Sequence, residues 1–174
     1  MNSTSIRGID HIGITVPDIE AATQFLIAAF GAEVIYESLS RVDPPIEGSK
    51  PEKMLLLSKG TQTVAVRMIK LQHGPGIELI EMHAPQQLKP VRPSDFGLQH
   101  FALYLDDMSA AVARFTAAGG VIFDHPAPNL FPLETGSGNI FCYGRTPWGT
   151  VIELITLPTP PPYEQKTTLR RWRP

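Results

Sequence analysis

The stretch from residue 10 to residue 31 returns 89 positions later, and this internal repeat restricts the fold more than any other feature of the 174-residue chain. With His11 set on His100, Val16 falls on Leu105, Asp18 on Asp107, Ile19 on Met108 and Ala22 on Ala111. Thr23 falls on Val112, Leu26 on Phe115, Ala29 on Ala118 and Gly31 on Gly120. Counted from Ile19, these positions stand at i, i+3, i+4, i+7 and i+10, one face of a helix. Asp18 is a candidate N-cap in the first copy, Ser109 or Asp107 in the second, and Gly31 and Gly120 are candidate stops.

A strand is predicted ahead of each helix. Over residues 10–16, Ile12, Ile14 and Val16 alternate with His11, Gly13 and Thr15. Over residues 99–105, Phe101, Leu103 and Leu105 alternate with His100, Ala102 and Tyr104. Period two places each histidine opposite the apolar face that packs on the helix. A second echo follows: Ile77-Glu78-Leu79-Ile80 and Ile152-Glu153-Leu154-Ile155 are the same four residues, 75 apart. Each follows a turn (Gly74-Pro75-Gly76, then Thr146-Pro147-Trp148-Gly149), and each turn follows a strand candidate, residues 64–71 and 140–145. Each half thus reads strand, helix, strand, strand, strand, with an antiparallel pair at its end.

The glutamates are anomalous. An ionised carboxylate in the middle of an apolar strand costs several kcal/mol unless it is paired or coordinated. The same anomaly stands in both halves. If a pseudo-twofold relates the halves, His11, Glu78, His100 and Glu153 converge as two nitrogen and two oxygen donors. That set suits a single divalent ion, Zn, Ni, Co, Mn or Fe, with two octahedral positions left for water or substrate. Glu81 and His83 fall on the opposite face from Glu78 and read as surface residues, while His73 and His125 read as loop residues.

Composition removes other classes. The chain is 43% hydrophobic and 18% charged, which excludes broad disorder. A net charge of −2 gives no basic face for nucleic acid. A single cysteine, Cys142, can close no intrachain disulfide and is too little for a cysteine zinc site. No apolar run approaches the ~20 residues of a membrane span. The polar opening residues Met1-Asn2-Ser3-Thr4-Ser5 lack a signal-peptide core. A cytoplasmic protein with no membrane or nucleic-acid partner is expected.

Four segments carry a resemblance to a known family: Ile9-Asp10-His11-Ile12-Gly13-Ile14-Thr15-Val16, Gly76-Ile77-Glu78-Leu79-Ile80-Glu81, Leu98-Gln99-His100-Phe101-Ala102-Leu103 and Trp148-Gly149-Thr150-Val151-Ile152-Glu153-Leu154. On these the chain resembles the vicinal-oxygen-chelate superfamily, the group of glyoxalase, bleomycin-resistance proteins, extradiol dioxygenases and methylmalonyl-CoA epimerase. The resemblance covers about residues 6–157. It implies an α+β protein of two βαβββ modules, residues 6–88 and 94–157, whose mixed sheets form a cup around a metal site. It also implies that His11, Glu78, His100 and Glu153 are the metal ligands, and that a homodimer forms.

The activity implied first is that of a glyoxalase-like lyase or isomerase. The metal polarises a small substrate with neighbouring oxygens and stabilises an enediolate, and Glu153 is the catalytic base. The alternative is a methylmalonyl-CoA epimerase-like enzyme. That family uses a further acidic residue on the strand before the first glutamate, and here Val64-Ala65-Val66-Arg67-Met68-Ile69-Lys70 has none. Arg67 is a candidate for holding an anionic substrate group instead. An extradiol-type dioxygenase ranks third, because a fourth ligand fills a position oxygen would need. A non-enzymatic drug-binding protein is disfavoured by the full His/Glu set.

Three further segments stand out. The first module is 14 residues longer between its histidine and glutamate, and the excess falls around residues 41–62, a candidate lid with a short helix over 52–59. Residues 124–139, rich in proline and aromatics, are a candidate roof. Residues 158–174 form a Pro-rich, basic tail of charge +3, read as an extended arm over a body of −5. No lysine or arginine cluster shows in the sequence of the body.

Overall fold

The computed structural model describes residues 7–129 and 131–174. The opening residues 1–5 and the module boundary at residue 6 lie outside the described residues. The chain divides into two compact units, the described residues up to 27 with 31–88, and residues 28–30 with 89–174. The architecture is α+β, with one mixed sheet in each unit.

The first unit runs β1 (His11–Val16), α1 (Ile19–Phe30), β2 (Glu33–Leu39), α2 (Ser49–Leu55), β3 (Gln62–Lys70) and β4 (Gly76–His83). Its sheet has the order β1-β4-β3-β2, with β1 parallel to β4 and the other pairs antiparallel. Helix α1 begins where the sequence places it. Asp18 is extended, and its carboxylate accepts from the Ala21 N–H at 2.9 Å. Gly31 takes the left-handed conformation, φ 67°, and its N–H donates to the Ile27 carbonyl at 2.8 Å. The predicted face, Ile19, Ala22, Thr23, Leu26 and Ala29, is buried.

The second unit repeats the plan with β5 (Phe101–Tyr104), α3 (Met108–Ala117), β6 (Val121–Ile122), β7 (Ala127–Pro128), β8 (Ile140–Arg145) and β9 (Val151–Thr156). The order is β5-β9-β8-β6, with β7 also pairing β8, and β5 runs parallel to β9. Asp107, not Ser109, caps α3 by accepting from the Ala110 N–H at 2.9 Å. The helix ends at Ala117, one turn before Gly120. That glycine serves close packing: a Cβ there would stand 2.3 Å from the buried Phe115 ring. Strand β5 is shorter than the alternation predicts, and His100 immediately precedes it.

The excess residues of the first unit form α2, which opens at Ser49 rather than residue 52. Pro51 sits in its first turn, where the missing N–H costs no hydrogen bond. Reciprocal backbone bonds between Ile46 and Thr63, both 2.9 Å, tie the segment before α2 to β3. In the second unit the tail lies along residues 131–139. Asn139, fully buried, exchanges hydrogen bonds with the Thr159 backbone in both directions, and Arg171 pairs with Glu134 at 3.2 Å. Among the described residues no helix is long and apolar enough to cross a membrane.

Alternation sorts the charges of the first unit. Ile77, Leu79 and Glu81 of β4 face α1, and Glu78 faces the other way. The reading of Glu81 as a surface residue is corrected: its side chain is 3% exposed. Its carboxylate accepts from the Ile19 N–H at 2.9 Å and pairs with Arg41 at 2.7 Å. It therefore completes the N-terminus of α1, whose first N–H groups have no partner within the helix. Arg67 of β3 also lies on this side. It is 8% exposed, and its terminal nitrogens bind Glu20, Glu37 and Thr23.

The two glutamates of β4 should respond differently to mutation. Glu81→Ala strands a buried donor and should cost about 1–3 kcal/mol, read as a lower urea midpoint. Glu78→Gln should change stability by no more than about 0.5 kcal/mol.

Candidate functional site

Parallel pairing brings a histidine and a glutamate together in each unit. In the first, His11 is level with Gly76, and Gly13 is level with Glu78. Residues level across a sheet share a face, as do residues two apart on a strand, so His11 and Glu78 share one. The residue directly beside Glu78 is a glycine, and a Cβ on it would stand 3.9 Å from the Glu78 Oε2. The carboxylate thus extends over Gly13 toward the imidazole, with 3.6 Å between His11 Nε2 and Glu78 Oε2. In the second unit, Ala102 is level with Glu153, and His100 Nε2 lies 2.9 Å from Glu153 Oε2. A small residue fills the equivalent place in both units.

Each ring is held from its other nitrogen by the residue just before it. Asp10 Oδ2 lies 2.7 Å from His11 Nδ1, and Gln99 Oε1 lies 2.7 Å from His100 Nδ1. The Gln99 amide is itself oriented, because its nitrogen donates to the Pro93 carbonyl at 3.1 Å. Both acceptors place the proton on Nδ1 and direct Nε2 toward the glutamate. The Asp10 hydrogen bond, joined by the charges of Glu78 and Asp10, raises the pKa of His11 above its usual 6.5 against a smaller effect of burial.

The units differ at the third strand. Met68 is level with Glu78, and its sulfur packs close over Gly76. Tyr143 is level with Glu153. Burial pushes the Tyr143 hydroxyl up, and the hydrogen-bonded Glu153 carboxylate adds to the effect. The Tyr143 ring meets His100 edge-on, 5.0 Å between centroids. Glu153 is 13% exposed and Glu78 28%. Neighbouring Cys142 is buried, and that burial raises its pKa to about 11, so it stays a protonated thiol.

The donor chemistry fits a divalent ion. An imidazole with its proton on Nδ1 can offer Nε2 as a ligand, and in each unit Nε2 stands beside a carboxylate, the second donor. Among the described residues no three His, Cys, Asp or Glu side chains form a metal-binding group; each unit offers a pair. Sequence reasoning missed Asp10, Gln99 and Tyr143. The hairpin turn centred on Trp148 is the signal that sets Tyr143 opposite Glu153.

The Glyoxalase/Bleomycin resistance protein/Dioxygenase superfamily profile matches residues 10–136, and the chain belongs to that superfamily. A 2-epi-5-epi-valiolone epimerase of Actinomyces sp. is 32% identical over 169 residues, 95% of this chain and 88% of that protein. Among solved structures, a glyoxalase family protein from Bacillus cereus matches with a TM-score of 0.67 at 18% identity, over 90% of this chain and 97% of that one. The fosfomycin resistance protein FosX from Listeria monocytogenes matches at 0.55 and 18%, over 87% and 93%. These two likenesses show the fold. Together the matches support the superfamily's enzymatic chemistry, an isomerisation, an epimerisation or a related lyase-type reaction.

The Asp10 contact makes a prediction for His11. Protonation of a residue with a raised folded-state pKa favours folding below its usual 6.5, and that contribution is lost as pH rises through the raised value. An NMR titration should place the His11 midpoint above 6.5, and Asp10→Asn should move it down.

Proposed function

We propose that the chain is an epimerase of this superfamily, with 2-epi-5-epi-valiolone or a closely related compound as substrate. The observation that carries the proposal is the full-length likeness to an enzyme of that name. It favours epimerisation over the glyoxalase-type reaction, although β3 lacks the acidic residue of the methylmalonyl-CoA epimerases. The geometry of the second unit supports the chemistry, because a proton-transfer enzyme needs a carboxylate positioned within reach of a carbon acid.

In this proposal Glu153 is the base. Its carboxylate stands on an otherwise apolar strand, between His100 and Tyr143. It takes the proton from the carbon to be inverted, a solvent water delivers a proton to the opposite face, and the hydroxide left behind is neutralised by the proton Glu153 carries. The Tyr143 hydroxyl orients the carboxylate. Gln99 holds the proton of His100 on Nδ1 and keeps Nε2 directed at Glu153, and Asp10 likewise directs His11 at Glu78. His11, Glu78, His100 and Glu153 are the proposed metal ligands, and a bound divalent ion would supply Lewis acidity to neighbouring substrate oxygens. Arg67 has no part in this reading, since Glu20 and Glu37 already meet its charge.

The test is incubation with 2-epi-5-epi-valiolone in deuterated water. Formation of the epimer with deuterium at the inverted carbon is expected. Turnover of the hemithioacetal of methylglyoxal and glutathione instead would favour the glyoxalase reading. Glu153→Gln should lower turnover about 100-fold or more, the usual contribution of a general base. Metal content is measured alongside, and unchanged turnover removes Glu153 from the role. His11→Ala and His100→Ala should each lower the divalent metal content of protein purified without chelator.

A further inference from the structure

The sequence shows no basic cluster in the body, but the fold makes one in the second unit. Lys89 and Arg92, from the segment leading toward β5, and Arg145, from the end of β8, line one cavity of about 630 Å³. Pro90, Asp95 and Trp148 share its walls. Three cationic side chains against one carboxylate leave the lining at +2 in a chain whose net charge is −2.

The cations are unequally engaged. Arg92 pairs with Asp95 through Nε and one terminal nitrogen, at 3.2 and 3.0 Å, so its second terminal nitrogen is outside the pair. Among the described residues neither Lys89 nor Arg145 has an ion-pair partner. The Arg145 guanidinium lies over the Phe123 ring, 5.4 Å from its centroid. A cation–π contact consumes no N–H donor, so the guanidinium keeps its N–H groups for an oxyanion.

The walls are built before any ligand arrives. Gly149 has φ 105°, and a Cβ on it would stand 2.3 Å from the Pro90 ring, so the segment carrying Lys89 and Arg92 is seated directly on the β8–β9 turn. That turn is closed by Thr146 N–H to the Thr150 carbonyl and Gly149 N–H to the Thr146 carbonyl, both 3.0 Å. The Trp148 indole donates to Thr150 Oγ1 at 2.8 Å, which fixes the ring.

We propose that this cavity is a binding site for a phosphate dianion, either free or carried by a small molecule. A dianion matches the charge of the lining where a monocarboxylate would neutralise half of it. The planar guanidinium and the ammonium together present the donors that phosphate oxygens accept. The size and the acidic chain around it suit a small molecule rather than a nucleic acid. Neither His100 nor Glu153 lines the cavity, so this site stands or falls independently of the proposed reaction.

Calorimetry on the full chain, with inorganic phosphate, phenyl phosphate and acetate in separate titrations, tests it. Saturable binding of phosphate, with acetate weaker, is expected. The double variant Lys89→Gln/Arg145→Gln should weaken phosphate binding about tenfold or more, and thermal unfolding of the variant should confirm that it folds. Tighter phenyl phosphate would identify an organic phosphate, and equal affinities would identify free phosphate. Absence of saturable binding, acetate binding as tightly as phosphate, or an unchanged affinity in a folded double variant would overturn the proposal.

Discussion

Parallel pairing of the first and last strands is the constraint on which each unit depends. It puts a histidine and a glutamate on one sheet face, two residues out of level, close enough to meet over a glycine or an alanine. An antiparallel neighbour would bring each glutamate a residue from the hairpin instead, as it brings Met68 and Tyr143. The helix between the paired strands follows from the same constraint. A parallel connection needs a long crossover, and α1 and α3 begin it while covering the opposite face of the sheet.

Period-two alternation then separates two kinds of carboxylate only three residues apart. Glu81 faces the helix and is satisfied by the Ile19 N–H and Arg41. Glu78 faces the other side, where a half-exposed imidazole is its neighbour. The first carboxylate serves the fold, and among the described residues of the first unit the second faces only the His11 imidazole as a side-chain partner. Arg67 falls on the helix side by the same rule, which explains why its charge is consumed by Glu20 and Glu37.

Much of this was legible because it rests on local rules. The repeat gave the two halves, Asp18 and Gly31 gave the ends of α1, and alternation gave the faces of His11 and Glu78. Partners that lie far apart in sequence were not legible. Glu81 reads as exposed until Arg41 and the start of α1 are known to meet it. Ser109 and Asp107 are both acceptable caps by type, and only the backbone path selects Asp107. The Lys89, Arg92 and Arg145 cluster has no sequence signature, because Pro90 must first rest on Gly149. Residue types announce what a side chain can do, whereas its partners depend on register and turn geometry.

The two halves share a histidine–glutamate pair and differ around it. His100 and Glu153 are closer, at 2.9 against 3.6 Å, and less exposed than His11 and Glu78. An apolar methionine faces the first glutamate, and a hydrogen-bonding tyrosine faces the second. A flexible thioether thus packs beside one carboxylate and a tyrosine beside the other. Asp10 and Gln99 follow the same pattern: both hold an imidazole by Nδ1, and the Asp10 carboxylate also stabilises a proton on the His11 ring.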